Sequence, residues 1–132
     1  MHPTALTILA VDDDPDDLEL MVETLRQLSP DVSVSKLQNG AEVLPFLDRL
    51  SDTHLPGLII LDYNMPEMNG AQVLSRLCQL PRYESIPKVI FSTSDAPAYV
   101  KECMNNGATQ YFVKPASMRD LNAIMKKILA YC

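Results

Sequence analysis

The residues of this chain best suited to chemistry are charged groups that close apolar runs. Ile8-Leu9-Ala10-Val11 runs into Asp12-Asp13-Asp14, Leu58-Ile59-Ile60-Leu61 stops at Asp62, and Tyr111-Phe112-Val113 ends at Lys114-Pro115. If the three runs are parallel strands, their polar ends share one rim, the place where open α/β sheets bind ligands. Asp12, Asp13 and Asp62 gathered there would repel one another by about 3 kcal/mol per pair at roughly 5 Å and an effective dielectric near 20. A cation therefore belongs among them. Oxygen-only ligands with an open coordination sphere favour Mg²⁺, which keeps several waters and is held by one or two carboxylates together with phosphate oxygens. An ammonium such as Lys114, fixed beside carboxylates and a metal, can bind the oxygens of a phosphoryl group. Ser92 adds a hydroxyl at the end of a fourth run, Val89-Ile90-Phe91.

Each residue also has a plainer reading. Asp12 to Asp14 could simply cap a helix and neutralise its dipole. Lys114 alone would be a surface charge, Ser92 a turn residue, and Tyr111 a half-buried strand tyrosine. Coincidence separates the readings, because each strand end contributes one such group to the same rim.

The elements that must position them follow from pattern. Thr7 to Val11 reads as the first strand. Asp14-Pro15-Asp16-Asp17 starts a helix carrying Leu18, Met21, Val22, Leu25 and Leu28 at helical spacing, closed by Ser29-Pro30. Val32 to Ser35 alternates as a strand, and Asn39-Gly40 turns into a helix with Val43, Leu44, Leu47 and Leu50, where Pro45 is tolerable only near the start. A loop over Ser51 to Gly57 feeds the central strand. Past Asp62, a third helix with Val73, Leu74, Leu77 and Leu80 ends at Pro81, and Arg82 to Pro87 is a loop. Asp95 is the expected cap of a fourth helix that stops at Gly107. Gln110 to Val113 is the fifth strand, and Ser117 with Asp120 opens a last helix with Leu121, Ile124, Met125, Ile128 and Leu129. Five strand-helix units with right-handed crossovers predict an α/β, doubly wound (βα)5 sandwich, a parallel sheet with helices on both faces.

Bulk properties narrow the function. At 132 residues the chain is read as one domain spanning 1–132, with its core over 7–131 and no output domain. Seventeen acidic residues against eleven basic ones give a net charge of −6, which argues against nucleic acid as a partner. No apolar stretch approaches the roughly 20 residues that span a bilayer, and Met1-His2-Pro3-Thr4 has no basic flank, so a cytoplasmic location is expected. Cys78, Cys103 and Cys132 are too scattered for a disulfide framework or a zinc site.

Four motifs in order carry a resemblance to a known family: Val11-Asp12-Asp13-Asp14, Leu61-Asp62-Tyr63-Asn64-Met65-Pro66-Glu67-Met68-Asn69-Gly70, Phe91-Ser92-Thr93, and Tyr111-Phe112-Val113-Lys114-Pro115. The chain resembles the receiver domain of two-component response regulators, as a stand-alone chemotaxis-regulator-like form, from about Thr7 to Tyr131. The resemblance implies a flavodoxin-like strand order 2-1-3-4-5. It also implies that Asp62 takes a phosphoryl group from the phosphohistidine of a sensor kinase. Asp12 (chiefly through a coordinated water), Asp13, Asp62 and the backbone carbonyl of Asn64 would hold Mg²⁺, while Ser92, Thr93 and Lys114 would bind the phosphoryl group. Ser92 and Tyr111 would form the switch, with Pro66, Gly70 and Pro115 shaping the turns. Ser92 stands where threonine is commoner, and Thr93 is bulkier than the small residue expected, which narrows access to the phosphate.

A receiver of this kind is not an enzyme beyond self-phosphotransfer and autodephosphorylation. Its implied partners are a histidine kinase, of hybrid or phytochrome type by the Arg82 to Pro87 loop, and a downstream protein. The latter would meet a face holding Lys101, Tyr111, Arg119, Lys126 and Lys127. The chain could act as a monomer or as a phosphorylation-sensitive homodimer. A competing reading is a phosphatase of the haloacid dehalogenase kind, which wants an aspartate two residues after its nucleophile. Asn64 stands there, and an amide cannot give up a proton. A third reading keeps the fold as a binding module without phosphorylation.

Overall fold

Short aliphatic runs separated by amphipathic segments form five strands in the computed structural model, which describes residues 6–132. They are β1 (Thr7–Val11), β2 (Ser33–Leu37), β3 (Leu58–Leu61), β4 (Lys88–Ser92) and β5 (Gln110–Val113). All pair in parallel in the order β2-β1-β3-β4-β5, as predicted. The terminal Met1 to Thr4 stretch, read above for targeting signals, lies outside the described residues. No described helix is long and apolar enough to cross a membrane.

Among the described residues six α-helices flank the sheet: α1 (Pro15–Leu28), α2 (Val43–Asp48), α3 (Gly70–Cys78), α4 (Pro81–Glu84), α5 (Pro97–Asn105) and α6 (Met118–Leu129). On one face Leu9, Val11, Ile59 and Leu61 pack with residues of α2 and α3 and with Cys103 of α5. On the other, Ile8, Ala10, Ile60, Val89 and Phe91 pack with α1 and α6. β3 is buried at every position, which explains its unbroken Leu-Ile-Ile-Leu composition.

Local chemistry sets the helix starts. Asp14 caps α1 by accepting from the N–H groups of Asp16 (2.9 Å) and Asp17 (3.3 Å), with Pro15 at the first helical position. Asn69 and Gln72 form a reciprocal capping box at α3. Ser117 accepts from the Asp120 N–H at 3.2 Å and caps α6. Pro45 is the third residue of α2, where its missing N–H removes no helical bond.

Several expectations need correction, among them the start of β4, which is Lys88 and not Val89. β2 begins at Ser33 and runs to Leu37, because its pairing with all five residues of β1 sets its length, while Val32 is buried ahead of it. Asp95 does not cap α5: Pro97 takes the first helical position, which leaves Ala96 as a cap with no side-chain bond. The third helix ends at Cys78, and Pro81 opens a further turn, α4, inside the predicted loop. Tyr83 of that turn is buried and its hydroxyl donates to Asp48. Arg82 donates to Leu50 O, to Leu47 O (3.2 Å) and to Asp52 (2.7 Å), so α4 fastens the end of α2. Finally, the Ser51 to Gly57 loop contains a short 3₁₀ turn, Asp52–His54.

Glu67 is the only non-glycine residue with positive φ (67°) among those described. The left-handed region costs a side-chain-bearing residue about 1–2 kcal/mol, part of which glycine regains at an entropic cost. Glu67→Gly is expected to raise stability by about 0.5–1 kcal/mol. A urea midpoint that rises at constant slope is the check; a lower midpoint would show that Glu67 contributes more than its backbone costs.

Candidate functional site

Register brings the polar strand ends together. Val11 pairs with Leu61, so Asp12 and Asp62 each leave the sheet one residue later, and the Asp62 N–H donates to Val11 O at 2.9 Å. Ser92 pairs with Val113, and the Lys114 N–H donates to Ser92 O at 2.7 Å. Lys114 thus leaves one step beyond Ser92. The loop after Asp62 turns back sharply through Pro66 and Glu67, and the Gly70 N–H closes it on Tyr63 O at 2.9 Å.

The Lys114 ammonium lies between carboxylates. Its Nζ donates to Asp12 Oδ2 at 2.6 Å, to Asp17 Oδ2 at 3.0 Å and to Asp62 Oδ2 at 3.4 Å. Asp12 is wholly buried and Asp62 nearly so, while Asp13 is exposed at the mouth. One carboxylate oxygen from each of Asp12, Asp13 and Asp62 lies within 4.8 Å of the others. Three carboxylates, those of Asp12, Asp17 and Asp62, therefore contact one ammonium, and that of Asp13 lies beside two of them.

Burial and that imbalance together set the proton affinities. Burial pushes the Asp12 carboxyl from 3.8 up to about 6, with Asp62 adding repulsion, against the opposing bonds from Lys114 and the Asp14 N–H. Burial pulls the Lys114 ammonium the other way, but the bond to Asp12 and the fields of Asp62 and Asp12 outweigh it and hold Lys114 above the usual lysine range. Asp12 lacks positive charge while Lys114 has more negative charge than it needs. A hard cation fits this cluster: its donors are all oxygens, they converge, and exposed Asp13 leaves the outer side open to water or substrate.

Asp62 is the acid farthest from Lys114 among its three partners, so it takes Asp12's repulsion with the least relief. In chelator, Asp62→Asn is expected to raise unfolding free energy by about 1–2 kcal/mol. Millimolar Mg²⁺ should stabilise the wild-type chain and leave the variant nearly unmoved. Destabilisation of the variant in chelator would mean that Asp62 is paired, not crowded.

Of the other residues singled out by sequence, Ser92 is fully buried at the end of β4, and its Oγ accepts from the Ser94 N–H at 3.3 Å. Thr93 beside it is exposed, as is Asn64 two residues beyond Asp62. Tyr111 is half-buried and its hydroxyl donates to Ser94 O at 2.7 Å, so it reaches the same loop. Burial raises its pKa. Pro115 follows Lys114 and lines a small apolar cavity with Leu20, Phe91 and Met118.

Two features escaped sequence reasoning. Asp17, read only as a first-turn acid, reaches Lys114. Tyr63, next to Asp62, donates to Glu102 Oε1 at 2.6 Å and stacks on Tyr99 with centroids 4.3 Å apart, tying the Asp62 loop to α5. The bond to Glu102, with burial, raises the Tyr63 pKa. Only the position of Asp17 near the rim could have hinted at the first; nothing local signals the second.

The model of the response regulator receiver domain family matches residues 8–126. The chain belongs to that family. It is 33% identical to the two-component response regulator ARR8 of Arabidopsis thaliana over 89% of its own length. It spans only 58% of the length of ARR8 and 56% of that of ARR9 from the same plant. Among solved structures, the phosphorylated cyanobacterial phytochrome response regulator RcpA superposes with a TM-score of 0.88 at 27% identity, covering 97% of this chain and 94% of that one. The Mn²⁺-bound form of response regulator Rcp1 gives 0.82 at 28% identity, covering 95% and 92%. Receiver domains are phosphoacceptors that bind Mg²⁺ at an acidic pocket and work between histidine kinases and downstream targets. The strand order and the aspartate cluster of this receiver domain agree with that design.

Proposed function

We propose that Asp62 is the phosphoacceptor of this receiver domain and that esterification of its carboxylate switches protein contacts in a two-component relay. The observation that carries the reading is the register that leaves Asp12, Asp62 and Lys114 at one rim, with Lys114 Nζ bonded to both acids. An Asp62 carboxylate oxygen attacks phosphorus of a kinase phosphohistidine, the P–N bond breaks, and the imidazole leaves with the electron pair. Asp12, Asp13, Asp62 and the Asn64 carbonyl would hold Mg²⁺. The bound ion supplies positive charge to a reaction between two anions. Lys114 orients and neutralises the phosphoryl oxygens from the side of β5, and Thr93 borders the approach.

Ser92 Oγ then donates to a phosphoryl oxygen. Because Ser92 Oγ already accepts from the Ser94 N–H, and Ser94 O accepts from Tyr111, a shift of Ser92 moves the loop that Tyr111 holds. Phosphorylation adds about −1.5 to −2 charges, enough to reweight two conformations of the α5-β5-α6 face. Lys101, Arg119, Lys126 and Lys127 are exposed there for a downstream protein. Likeness to RcpA supports a phytochrome-type or hybrid kinase as donor. Asn64, in place of a second acid, weighs against turnover of phosphate esters by this site.

Incubation with acetyl phosphate and Mg²⁺, followed by intact mass, tests the reading. One phosphoryl adduct is expected, absent in Asp62→Asn and in EDTA. Equal labelling of Asp62→Asn would refute it.

A further inference from the structure

An ammonium has three N–H donors and no acceptor. In this site all three are spent on carboxylates, one each on Asp12, Asp17 and Asp62, so none is free for a phosphoryl oxygen. The three contacts are unequal. The 3.0 Å bond to Asp17 falls in the normal range and the 2.6 Å bond to Asp12 just under it, whereas 3.4 Å to Asp62 lies beyond it. Nζ is held off-centre, away from the group on which the chemistry is proposed. Asp12 cannot release it cheaply, being fully buried with the Asp14 N–H as its other partner. Asp17 can, because its side chain is 37% exposed and water can replace the ammonium.

We propose that Asp17 is a positioning residue that withholds Lys114 from Asp62, so that the Asp17–Lys114 contact restrains esterification. The inference rests on the reading of Asp62 as phosphoacceptor. With acetyl phosphate, an Asp62 oxygen bonds to phosphorus while the P–O bond to acetate breaks and acetate leaves with the electron pair. The N–H that Asp17 gives up then turns to a non-bridging phosphoryl oxygen. Asp17 also adds a negative charge beside the path of an anionic donor, which acts in the same direction.

The test compares labelling rates at fixed acetyl phosphate and Mg²⁺. Asp17→Ala is expected to label about threefold to tenfold faster than wild type, less than the full worth of one charge-assisted bond because the Asp17 side chain is 37% exposed. Asp17→Glu, which keeps a carboxylate within reach, should fall short of that gain. Asp16→Ala removes an acid of the same helical turn that is not an acceptor of Lys114, and should change little. A rate for Asp17→Ala at or below wild type, or an equal gain from Asp16→Ala, would overturn the proposal.

A second measurement stands apart from labelling. In EDTA, Asp17→Ala should lower the thermal midpoint of the wild-type chain but not that of Lys114→Met; equal shifts in both would remove the contact on which the proposal is built. Absence of labelling in every chain, wild type included, would instead defeat the phosphoacceptor reading and the proposal with it.

Discussion

In the absence of divalent cations, Lys114→Met is expected to lower the unfolding free energy by about 3–5 kcal/mol, the range found when one partner of a buried ion pair is removed. Methionine keeps most of the stem and removes only the ammonium, including its place 6.0 Å from the Phe91 ring centroid, so the change isolates the charge. What remains is Asp12 and Asp62, both buried, with Asp13 and Asp17 nearby and no positive charge among them. The effect is opposite in sign to that of Asp62→Asn, and a protein whose rim residues merely happened to be adjacent would not show such a reversal. Mg²⁺ should restore part of the loss and should bind the variant more tightly than wild type, since the ion then has no ammonium to compete with. Urea unfolding with and without EDTA is the measurement. A loss under about 1 kcal/mol would place the three bonds with ordinary surface ion pairs.

Gly70→Ala is expected to cost about 2–4 kcal/mol, at or beyond the upper range for overpacking, because backbone stands in the way. A Cβ at Gly70 would lie 2.5 Å from Asp62 O, 3.1 Å from Tyr63 Cα and 3.2 Å from Ile90 Cδ1. The first two are main-chain atoms of the segment that carries Asp62, and Ile90 is fully buried, so relief must come from moving α3 or the end of β3. Labelling by acetyl phosphate should fall along with stability. Gly57→Ala is the control: its Cβ would meet only Leu6 Cδ1 and Thr7 O, both at 3.8 Å, and the change should stay within about 0.5 kcal/mol. Denaturant midpoints of the two variants, measured side by side, decide the matter. Comparable midpoints would mean that the loop after Asp62 is free to yield.

The central strands and the rim were legible because β1, β3 and β4, buried on both faces, have an apolar composition that is hard to mistake, and each of their runs ends at a charged or hydroxylic residue. Leu58 to Leu61 announced β3 and the position of Asp62 together. Less visible was anything that depends on a partner far along the chain. Asp17 meets Lys114 across 97 residues, and Tyr63 meets Glu102 across 39. Arg82 and Tyr83 looked like loop residues because the carbonyls and the Asp48 carboxylate that receive them lie in another helix or just past its end.

Lys88 is the clearest case of a residue placed against its type. Sequence reading starts β4 at Val89, yet Lys88 is its first residue and is almost wholly buried. Its Nζ donates to Glu84 O at 3.1 Å, the last carbonyl of α4, and to Ile86 O at 2.7 Å just beyond that helix. Burial lowers its pKa, and the two carbonyls are what make the buried amine tolerable. Asp95 failed for the converse reason. Its type favoured a cap, but Pro97 fixed the first turn and moved the cap to Ala96.

The central claim is that the Asp62 carboxylate itself becomes esterified. Borohydride reduction of the acetyl phosphate-treated protein converts an aspartyl phosphate to homoserine, and peptide mapping then reads the site. Homoserine at position 62, and at no other aspartate, is the predicted result; homoserine at Asp12, Asp13 or Asp17, with Asp62 intact, would contradict it.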